Sequence, residues 1–507
     1  MPASVGALLC NAAQRFGDKT ALVFENQRWS FRELDDCSSR LAQQLQKCGI
    51  GVGETVSLFS PNCPEWIIAY YAVMKIGAVV CPLNLMLTPD EAAYAMNDCG
   101  AVAVFGSDDR IASLSGVRIK TSLRHCFAFG GAPPAHAVDF QTLLVGPVGD
   151  YPVAGIALDQ PCTVGYTSGT TGHPKGAVLT HQAILMNTAM TATMHVRTAA
   201  DTVVSALPCS HVYGNIVMNA AVAYGMTLVL HKVFDVEKVL TSIEAEQATM
   251  LEGVPTMYLY ILNDSKRSQY DLSSLTRCTV GGQTMPEAKM REVEAVFGCP
   301  LIELWGMTEL GGLGTTHSAY GPARMGSIGV ALPHLEARVV ATDGTNQVLS
   351  AGNVGELQIR GPVTMREYIN NREATERVLS DDGWLRTGDL VRRDAEGYFY
   401  MVDRVKDMII TAGFNIYPAE LERVISDYPD VAMVAVGGIA DEMKGELAKA
   451  YVVARPGVQL DLALLELYCR EHLAAYKVPK VFQQVSDLPK TSTGKIMRRH
   501  LRTLDLQ

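Results

Sequence analysis

Residues 162–187, CTVGYTSGTTGHPKGAVLTHQAILMN, place a run of glycine and hydroxyl residues between two apolar segments. From Tyr166 to Gly176 the run has four Thr/Ser hydroxyls, three glycines, one proline and one lysine in eleven residues. Glycine lets a backbone approach a ligand closely, and hydroxyls and amides are the usual donors to phosphate. CTVGY has the pattern of a strand, and AVLTHQAILMN that of a strand followed by a helix. We predict a phosphate-binding loop set between strands, rather than the plain surface connection that Gly, Ser and Thr also favour.

This loop fits neither of two common nucleotide-binding patterns. A P-loop needs G-x-x-x-x-G-K-[ST], but here Lys175 follows Pro174 and precedes Gly176. A Rossmann G-x-G-x-x-G is absent too. A lysine fixed by proline among hydroxyls still favours a ligand-binding role, although spacing alone does not identify the nucleotide.

Most of the chain before Ser327 alternates between β-branched segments and helical patterns. The clearest strand-like segments are AVAVFG (101–106), TVVSALP (202–208) and MTLVLH (226–231), and the clearest helical ones are FDVEKVLTSIEAEQAT (234–249) and PEAKMREVEAVFG (286–298). This alternation predicts mainly parallel sheets covered by helices. From about Ser327, short strands with Gly-rich turns predict an antiparallel, β-barrel-like region that closes the large domain.

The composition changes again near DRVKDMIITAGFNIYP, and an α+β unit of about a hundred residues follows, with a helix from Leu462 to Ala475. A chain of 507 residues is too long for one core. We therefore predict an α/β protein with a large N-terminal domain (1–403), followed by a small α+β C-terminal domain (404–507).

Charge and composition narrow the class of protein. A net charge of −10 argues against nucleic acid as a partner, and twelve cysteines without any C-x-x-C favour reduced thiols over a disulfide or zinc scaffold. The most apolar segment, Trp66 to Leu87, is interrupted by Lys75 and Pro82, which predicts a buried helix and a strand rather than a membrane span. The first residues lack a signal-peptide pattern. We expect a cytoplasmic protein without a transmembrane segment, either a monomer or a homodimer.

Eight motifs occur in the order found in the adenylate-forming superfamily, which includes acyl-CoA synthetases, luciferases and the adenylation domains of peptide synthetases. They are YTSGTTGHPKG (166–176), LPCSHVYG (207–214), VGGQTMP (280–286), LWGMTELGG (304–312), GELQIRGP (355–362), GWLRTGDL (383–390), VDRVKDMIITAGFNIYPAELE (402–422) and LPKTSTGKIMRR (488–499). The chain resembles that superfamily over essentially its whole length. The resemblance implies an enzyme that uses ATP and Mg²⁺ to activate a carboxylic acid as acyl-AMP, releases pyrophosphate, and passes the acyl group to CoA.

The resemblance also implies the nucleotide site. Trp305 would stack on adenine, Thr308 would contact the α-phosphate and Glu309 would hold Mg²⁺, since a lone carboxylate beside phosphates is favourable only with a metal between them. Asp389, joined by Arg404, would accept from the ribose hydroxyls. The residues implied for ATP are Thr167, Ser168, Gly169, Thr170, Thr171, Gly172, Lys175, Gly282, Gln283, Glu303, Leu304, Trp305, Gly306, Met307, Thr308, Asp389, Arg404 and Lys495.

Lys495 is the catalytic cation that the resemblance implies, bridging the carboxylate and the α-phosphate as charge develops. Thr308 and Glu309 complete the catalytic set together with His211, which would gate or orient the substrate rather than act as a base or a metal ligand. Outside this context each of these residues has a plainer interpretation, such as a solvated lysine in a basic tail for Lys495.

The acyl pocket that the resemblance implies is mostly apolar or small. Its residues are His211, Tyr213, Gly214, Val217, Gly281, Gly282, Met307, Gly312 and Leu313. SHVYGN lacks the aspartate with which amino-acid-activating relatives bind an α-amino group, and a second cation for a dicarboxylate is not evident. An apolar monocarboxylate, fatty or aromatic, fits best.

A second half-reaction would need the C-terminal domain to rotate. By resemblance, Lys406 is the hinge, and Gly413 and Phe414 would line the pantetheine tunnel. Lys444, Tyr476 and Lys480 lie where relatives often contact CoA, although a solvated side chain is as plausible at each. One departure from the usual pattern is Glu367, which replaces a glycine in GPVTMREY and would strain the turn if that glycine needs a positive φ.

Two alternatives remain open from the sequence. The enzyme could deliver its acyl-adenylate to a carrier protein or an amine instead of CoA. The protein could also be a non-catalytic relative that binds acyl groups or nucleotides, although Lys175, Glu309, Asp389 and Lys495 argue against the loss of catalysis.

Overall fold

The structure is a computed structural model that describes residues 3–117, 121–147, 151, 153–167, 174–321, 324–404, 407–411, 414–441, 443, 445–491 and 494–506. The α-helices in these residues are α1 (Gly6–Phe16), α2 (Phe31–Lys47), α3 (Pro64–Lys75), α4 (Pro89–Asp98), α5 (Asp108–Ser113), α6 (His181–Met194), α7 (Val212–Tyr224), α8 (Val236–Ala245), α9 (Pro255–Asn263), α10 (Glu287–Phe297), α11 (Arg372–Val378), α12 (Pro418–Ser426) and α13 (Leu462–His472).

The strands up to the end of the two large sheets are β1 (Thr20–Phe24), β2 (Gln27–Ser30), β3 (Thr55–Phe59), β4 (Val79–Pro82), β5 (Ala101–Gly106), β6 (His125–Ala128), β7 (Val138–Asp139), β8 (Pro161–Thr167), β9 (Lys175–Thr180), β10 (Thr202–Ser205), β11 (Thr227–Leu230), β12 (Met250–Gly253), β13 (Arg277–Gly281), β14 (Leu301–Met307), β15 (Gly312–Thr316) and β16 (Val330–Ala331). The later strands are β17 (Glu336–Val340), β18 (Val354–Arg360), β19 (Glu367–Tyr368), β20 (Leu385–Arg393), β21 (Phe399–Arg404), β22 (Ile409–Thr411), β23 (Phe414–Ile416), β24 (Val431–Asp441), β25 (Gly445–Ala454) and β26 (Val481–Gln484).

Two large sheets form the N-terminal part. One has the order β19-β9-β8-β4-β3-β5-β6-β7, and the other has the order β16-β15-β14-β13-β12-β10-β11-β1-β2. Their central pairs are parallel, and antiparallel strands such as β9 and β15 lie towards the edges. The predicted helix-covered, mainly parallel sheets are therefore confirmed, because helical crossovers join the parallel strands.

The predicted buried helix and strand between Trp66 and Leu87 are α3 and β4. Nearly every residue of α3 is buried, which explains its continuous apolar sequence. Lys75, at its end, is fully buried and lies 2.6 Å from Asp35 Oδ1, with further bonds to Ser38 and Ser39. This pairing is what makes a lysine tolerable inside the core.

The predicted antiparallel region is a four-stranded sheet of order β17-β18-β20-β21. Its register places Asp389 on β20 directly opposite Arg404 on β21. Facing residues in an antiparallel pair lie close enough for their side chains to interact. The end of this sheet therefore brings together two residues that sequence analysis placed in one site.

The C-terminal part contains a five-stranded sheet, in which β23-β22-β25-β24 are neighbours and β26 pairs with β25. Helices α12 and α13 pack on it around a separate apolar core that includes Leu421, Val436 and Leu465. The helix predicted to reach Ala475 ends at His472. The domain boundary at 403/404 stays a prediction.

The helical pattern over 286–298 agrees with α10 to within one residue at each end. Pro286 directly precedes α10, and Gly298 follows it with a left-handed φ of 68°. No helix within the described ranges is both long enough and apolar enough to cross a bilayer.

Candidate functional site

The predicted phosphate loop connects two antiparallel strands. Thr167, the last residue of β8, faces Lys175, the first residue of β9, and its hydroxyl donates to the Lys175 carbonyl at 3.4 Å. The strand and helix predicted after the loop are β9 and α6. The other loop residues of the predicted ATP set lie outside the described residues; they are Ser168, Gly169, Thr170, Thr171 and Gly172.

Two glycines let this hairpin pack closely against its surroundings. A Cβ on Gly165 would lie 2.7 Å from the Thr308 methyl group, and one on Gly176 would lie 2.8 Å from Val164. Real Cβ atoms do not approach so closely. The loop strands and Thr308 are therefore brought into direct contact at this point.

Trp305, Asp389 and Arg404 converge from three separate segments of sequence. The Trp305 indole N–H donates to Asp389 Oδ2 at 2.9 Å, and Arg404 Nε donates to Asp389 Oδ1 at 2.9 Å. Asp389 is buried, whereas nearly half of the Arg404 side chain is exposed. The carboxylate can accept more than two bonds, so ribose hydroxyls remain possible partners for it.

Glu309 lies in a short turn after β14, and its carboxyl group is buried. The Tyr368 hydroxyl donates to its Oε1 at 2.6 Å. Burial raises the pKa of Glu309, while the bond from Tyr368 and the charge of Arg404 oppose that rise. A buried carboxylate whose charge is penalised in this way fits a cation as its partner.

The surroundings of Glu309 suit a Mg²⁺ ion that is bound by one carboxylate and by substrate phosphates. They do not suit a metal site made of protein side chains alone. No group of three or more His, Cys, Asp or Glu side chains suited to a metal occurs in the described part of the chain. Mg²⁺ is usually bound by one or two carboxylates together with substrate phosphates and water. Glu309 is thus the residue of this site that could hold the ion.

Glu303, on β14, is a second buried carboxyl group in the predicted nucleotide site. Burial raises its pKa to about 8, although a hydrogen bond from the Met285 N–H opposes the rise. Its Oε2 has no hydrogen-bond partner. A buried carboxyl oxygen that lacks a partner is costly, so this oxygen is suited to a polar atom of a ligand.

Two glycines near Glu303 allow neighbouring segments of the chain to pack closely together. A Cβ on Gly306 would lie 2.1 Å from the Gly312 carbonyl oxygen, and one on Gly281 would lie 2.1 Å from the Leu304 side chain. Met307 ends β14. The glycines of GGQTMP and LWGMTELGG therefore let β13, β14 and β15 approach one another beneath the site.

Lys495 reaches this site from the C-terminal part of the chain. A Cβ on Gly282 would lie 2.7 Å from Lys495 Cε. Two contacts fix the adjacent backbone: Thr256 donates to the Gly494 carbonyl at 2.7 Å, and the Ile496 N–H donates to Gln283 Oε1 at 3.0 Å.

The surroundings of Lys495 penalise the charge of its ammonium group. Burial and the charge of Arg404 lower its pKa to about 8, while Asp389 opposes this. The structure therefore brings Lys495, Asp389, Arg404 and Trp305 to one site, as sequence analysis expected. A solvated lysine in a basic tail does not describe this geometry.

His211 is a neutral group next to that lysine. Its Nδ1 accepts the Tyr213 N–H at 3.3 Å, so it caps α7. Burial and the charge of Lys495 lower its pKa to about 3. With Nδ1 accepting, the proton of the neutral ring is on Nε2, which makes that atom a donor.

The predicted acyl-pocket residues lie on or directly next to α7, β13, β14 and β15. Helix α7 packs on β15, since a Cβ on Gly312 would lie 2.6 Å from Ile216. Gly214 is equally constrained, because its Cβ would lie 2.2 Å from the Pro208 carbonyl oxygen. Val217 and Leu313 are buried apolar side chains, as predicted.

Tyr213 brings a polar network that sequence analysis missed. Its hydroxyl lies 2.6 Å from Thr279 Oγ1 and donates to Glu252 Oε2 at 3.2 Å. Glu252 in turn pairs with Arg197 at 2.6 Å, and both are fully buried. Sequence analysis found no second cation near the pocket, yet Arg197 pairs with the same carboxylate, Glu252, that accepts from the Tyr213 hydroxyl. Nothing in the spacing of residues 197 and 252 signals this pair.

The predicted hinge and CoA residues are less well defined. Lys406, Gly413 and Lys444 lie outside the described residues, and for Phe414 only the backbone, in β23, is described. Tyr476 and Lys480 are exposed residues after α13, where Lys480 donates to the Ala475 carbonyl at 3.4 Å. Their roles stay predictions.

Arg498 is a further residue without a predicted role. It pairs with Glu422 at 2.6 Å and Asp407 at 3.3 Å, and lies 3.6 Å from Asp403. Burial raises the pKa of Asp403 to about 6, and Arg498 opposes that rise. Arg498 thus ties the segment that carries Lys495 to both sides of the predicted hinge.

The unusual Glu367 causes no backbone strain. It lies in β19, which pairs with β9, and it is not among the residues with a positive φ. The positive φ in this segment, 51°, belongs to Asn370. Asparagine tolerates that conformation better than most residues.

Comparisons with known proteins show the family to which the chain is similar. Residues 9–369 match the AMP-binding enzyme family, and residues 420–495 match the AMP-binding enzyme C-terminal domain. A long-chain-fatty-acid–CoA ligase of Bacillus subtilis (strain 168) is 34% identical, with 98% of this chain and 93% of that protein covered.

Solved structures give the same result. The anthranilate CoA ligase AuaEII in complex with anthranoyl-AMP is 26% identical with a TM-score of 0.94, covering 99% of this chain and 98% of the other. The o-succinylbenzoate coenzyme A synthetase (MenE) of Bacillus subtilis, in complex with ATP and magnesium ion, is 30% identical with a TM-score of 0.83, covering 98% and 99%. The chain therefore belongs to the AMP-binding enzyme family.

Proposed function

We propose that this protein is an ATP-dependent acid–CoA ligase that forms AMP and works through an acyl-adenylate. The observation that supports the proposal most directly is the insertion of Lys495 beside Gly282, next to the Trp305–Asp389–Arg404 group. A buried ammonium whose pKa is lowered to about 8 gains most from a ligand that brings negative charge. A triphosphate and a carboxylate together supply that charge.

In the first half-reaction, a carboxylate oxygen of the acid attacks the α-phosphorus of ATP. The bond from that phosphorus to the bridging oxygen breaks, and pyrophosphate leaves with the electron pair. Lys495 stabilises the negative charge that two approaching anions create, without giving up its proton. Glu309 would hold Mg²⁺, which neutralises charge on the phosphates when it is bound.

The other residues orient the nucleotide and the acid. In this proposal, Asp389 and Arg404 bind the ribose, Trp305 stacks on adenine, and Lys175 contacts the outer phosphates. His211, neutral and with its proton on Nε2, donates a hydrogen bond to the carboxylate or carbonyl group rather than removing a proton.

In the second half-reaction, the CoA sulfur attacks the acyl carbonyl, the bond to AMP breaks, and the thiol proton passes to solvent. This step requires Lys495 to leave the site, which we attribute to rotation of residues 404–507 about Lys406. Gly413, Phe414, Lys444, Tyr476 and Lys480 are the proposed CoA contacts.

The proposed substrate is an apolar monocarboxylic acid, fatty or aromatic. The buried Val217 and Leu313 support an apolar wall of the acyl pocket, in which the hydrogen-bonded hydroxyl of Tyr213 is a polar group. The relatives named above act, by their names, on long-chain fatty acids and on anthranilate, so both classes belong in the test. A cytoplasmic location and a monomeric or homodimeric state remain part of the proposal.

A pyrophosphate-release assay tests this function. The purified chain is incubated with ATP and Mg²⁺ and with each acid of a panel of fatty and aromatic acids, with and without CoA. Acid-dependent pyrophosphate release together with CoA-thioester formation is the expected result. Release without a thioester would favour delivery to a carrier protein or an amine, and no release with any acid would favour a binding protein.

A further inference from the structure

Tyr368 lies between two charged residues that the proposed function assigns to the nucleotide. Its hydroxyl donates to Glu309 Oε1 at 2.6 Å, and Lys175 Nζ lies over its ring, 5.4 Å from the centroid. One buried side chain thus contacts both the proposed metal ligand and the lysine of the phosphate loop. Sequence analysis gave it no role.

The backbone holds Tyr368 against β9, the strand that begins with Lys175. It belongs to β19 and faces Ala177 on β9, two residues after Lys175. The next residue, Ile369, donates to the Gly176 carbonyl at 2.8 Å, and the Tyr368 N–H donates to Thr375 Oγ1 at 2.9 Å. The ring is therefore fixed relative to the strand that begins with Lys175.

The position of the ring has an electrostatic consequence. An ammonium and a carboxylate this near to one side chain attract each other strongly in a buried setting. A direct Lys175–Glu309 salt bridge would occupy both groups and leave neither for ATP or metal. The face of the Tyr368 ring attracts the Lys175 ammonium less strongly than a carboxylate would. The Tyr368 hydroxyl binds only one oxygen of the Glu309 carboxylate, which leaves the other free to accept.

We propose that Tyr368 is a positioning residue that holds Glu309 ready for Mg²⁺ and keeps Lys175 apart from it and directed to the phosphates. This inference rests on the proposed function. The pyrophosphate-release assay on the unaltered chain tests that function separately, so its failure is distinguishable from a failure of the Tyr368 proposal.

Two substitutions separate the two contacts. Tyr368→Phe removes the hydroxyl and keeps the ring under Lys175, whereas Tyr368→Leu removes both. The matched control is Tyr451→Phe, because Tyr451 is also buried and its hydroxyl also donates to a carboxylate, Asp505 Oδ1 at 3.0 Å, in the C-terminal part. Thermal unfolding first establishes that each variant is folded.

The measurement is the dissociation constant of ATP by isothermal titration calorimetry, on the full chain, in MgCl₂ and in EDTA. For Tyr368→Phe we expect roughly tenfold weaker binding in MgCl₂, the loss typical of a hydrogen bond to a charged group, and unchanged binding in EDTA. Tyr368→Leu should weaken ATP binding in both conditions. Tyr451→Phe should match the unaltered chain in both.

The two conditions make the proposal refutable. Binding by Tyr368→Phe within twofold of the unaltered chain in MgCl₂ would overturn the role of the hydroxyl. Equal weakening in MgCl₂ and EDTA for that variant would also overturn it, since a general packing defect is indifferent to the metal. Unchanged EDTA binding by Tyr368→Leu would overturn the role of the ring.

Discussion

Alkaline pH should switch off adenylation by removing the proton of Lys495. Burial and Arg404 lower the pKa of this group to about 8, from an ordinary value of 10.5. The ammonium form is the one that can stabilise the charge between carboxylate and α-phosphate. The value of kcat/KM for ATP reports groups of the free enzyme, and it should therefore fall above about pH 8.

The magnitude follows from the position of that pKa. About half of the enzyme carries the ammonium at pH 8, about a tenth at pH 9 and about a hundredth at pH 10, so kcat/KM should fall about tenfold per pH unit. The displacement from 10.5 to about 8 corresponds to about 3 kcal/mol against the charged form. A solvent-exposed lysine would keep its proton through most of this range.

The assay is acid-dependent pyrophosphate release at saturating acid and low ATP, from about pH 6.5 to pH 10. Lys495→Arg is the decisive variant, because a guanidinium stays charged throughout this range. It should be less active at every pH, since its shape differs, but it should lose the alkaline fall. Lys490→Arg is the matched control, because Lys490 lies in the same segment and pairs with Asp487 at the surface.

An alkaline fall in Lys495→Arg with the same midpoint as in the unaltered enzyme would assign the titration to another group and refute the role of Lys495. A fall that begins only near pH 10 in the unaltered enzyme would show that Lys495 is not buried. Loss of the alkaline fall in Lys490→Arg would remove the specificity of the test.

Three further predictions concern buried carboxyl groups. Asp389→Asn, which weakens the bonds to Trp305 and Arg404, should raise KM for ATP about tenfold in steady-state kinetics with little change in thermal stability. Glu303→Gln should raise the melting temperature at about pH 8.5 but not at about pH 4.5. Because the pKa of Glu303 is raised to about 8 in the folded protein, its contribution to stability is present while the carboxyl is protonated and is lost as pH rises through about 8. Glu252→Gln should lower the free energy of unfolding by about 3–5 kcal/mol in denaturant titrations, because it leaves Arg197 buried and unpaired.

Each of these has a contrary outcome. An unchanged KM for ATP in Asp389→Asn would remove that carboxylate from the nucleotide site. An equal change of melting temperature at both pH values in Glu303→Gln would mean that its ionisation is not linked to folding. A loss below about 1 kcal/mol in Glu252→Gln would indicate that solvent reaches Arg197, and a Glu252→Met/Arg197→Met double variant serves as the control for packing.

The fold followed from local patterns wherever local chemistry decides it. Pro286 and Gly298 bracket α10 because proline suits the start of a helix and glycine the left-handed residue after its end. The apolar sequence of α3 is explained by burial on all sides. Sheet order was not predicted, since strand neighbours are chosen by long-range packing that spacing does not reveal.

The site was predictable only as far as the resemblance reached. Asp389 and Arg404 are fifteen residues apart, and the register of β20 and β21 makes them neighbours. Tyr368, on β19, and Glu309, in the turn after β14, are fifty-nine residues apart, so neither periodicity nor composition relates them. The pocket was expected to be apolar because a buried pair such as Glu252 with Arg197 leaves no local signature.

The energetics of Lys495 connect nucleotide binding to the position of the C-terminal segment. Burial and Arg404 disfavour its ammonium, whereas the contacts of Gly494 and Ile496 with Thr256 and Gln283 favour the docked backbone. A ligand can shift such an equilibrium only through a difference in its affinity for the two states. In the proposed mechanism, the negative charge of ATP supplies that difference, because it offsets the penalty on the ammonium only when Lys495 is docked. Departure of pyrophosphate removes much of that negative charge while the penalty remains, so we expect the residue that promotes adenylation to leave the site once adenylation is complete.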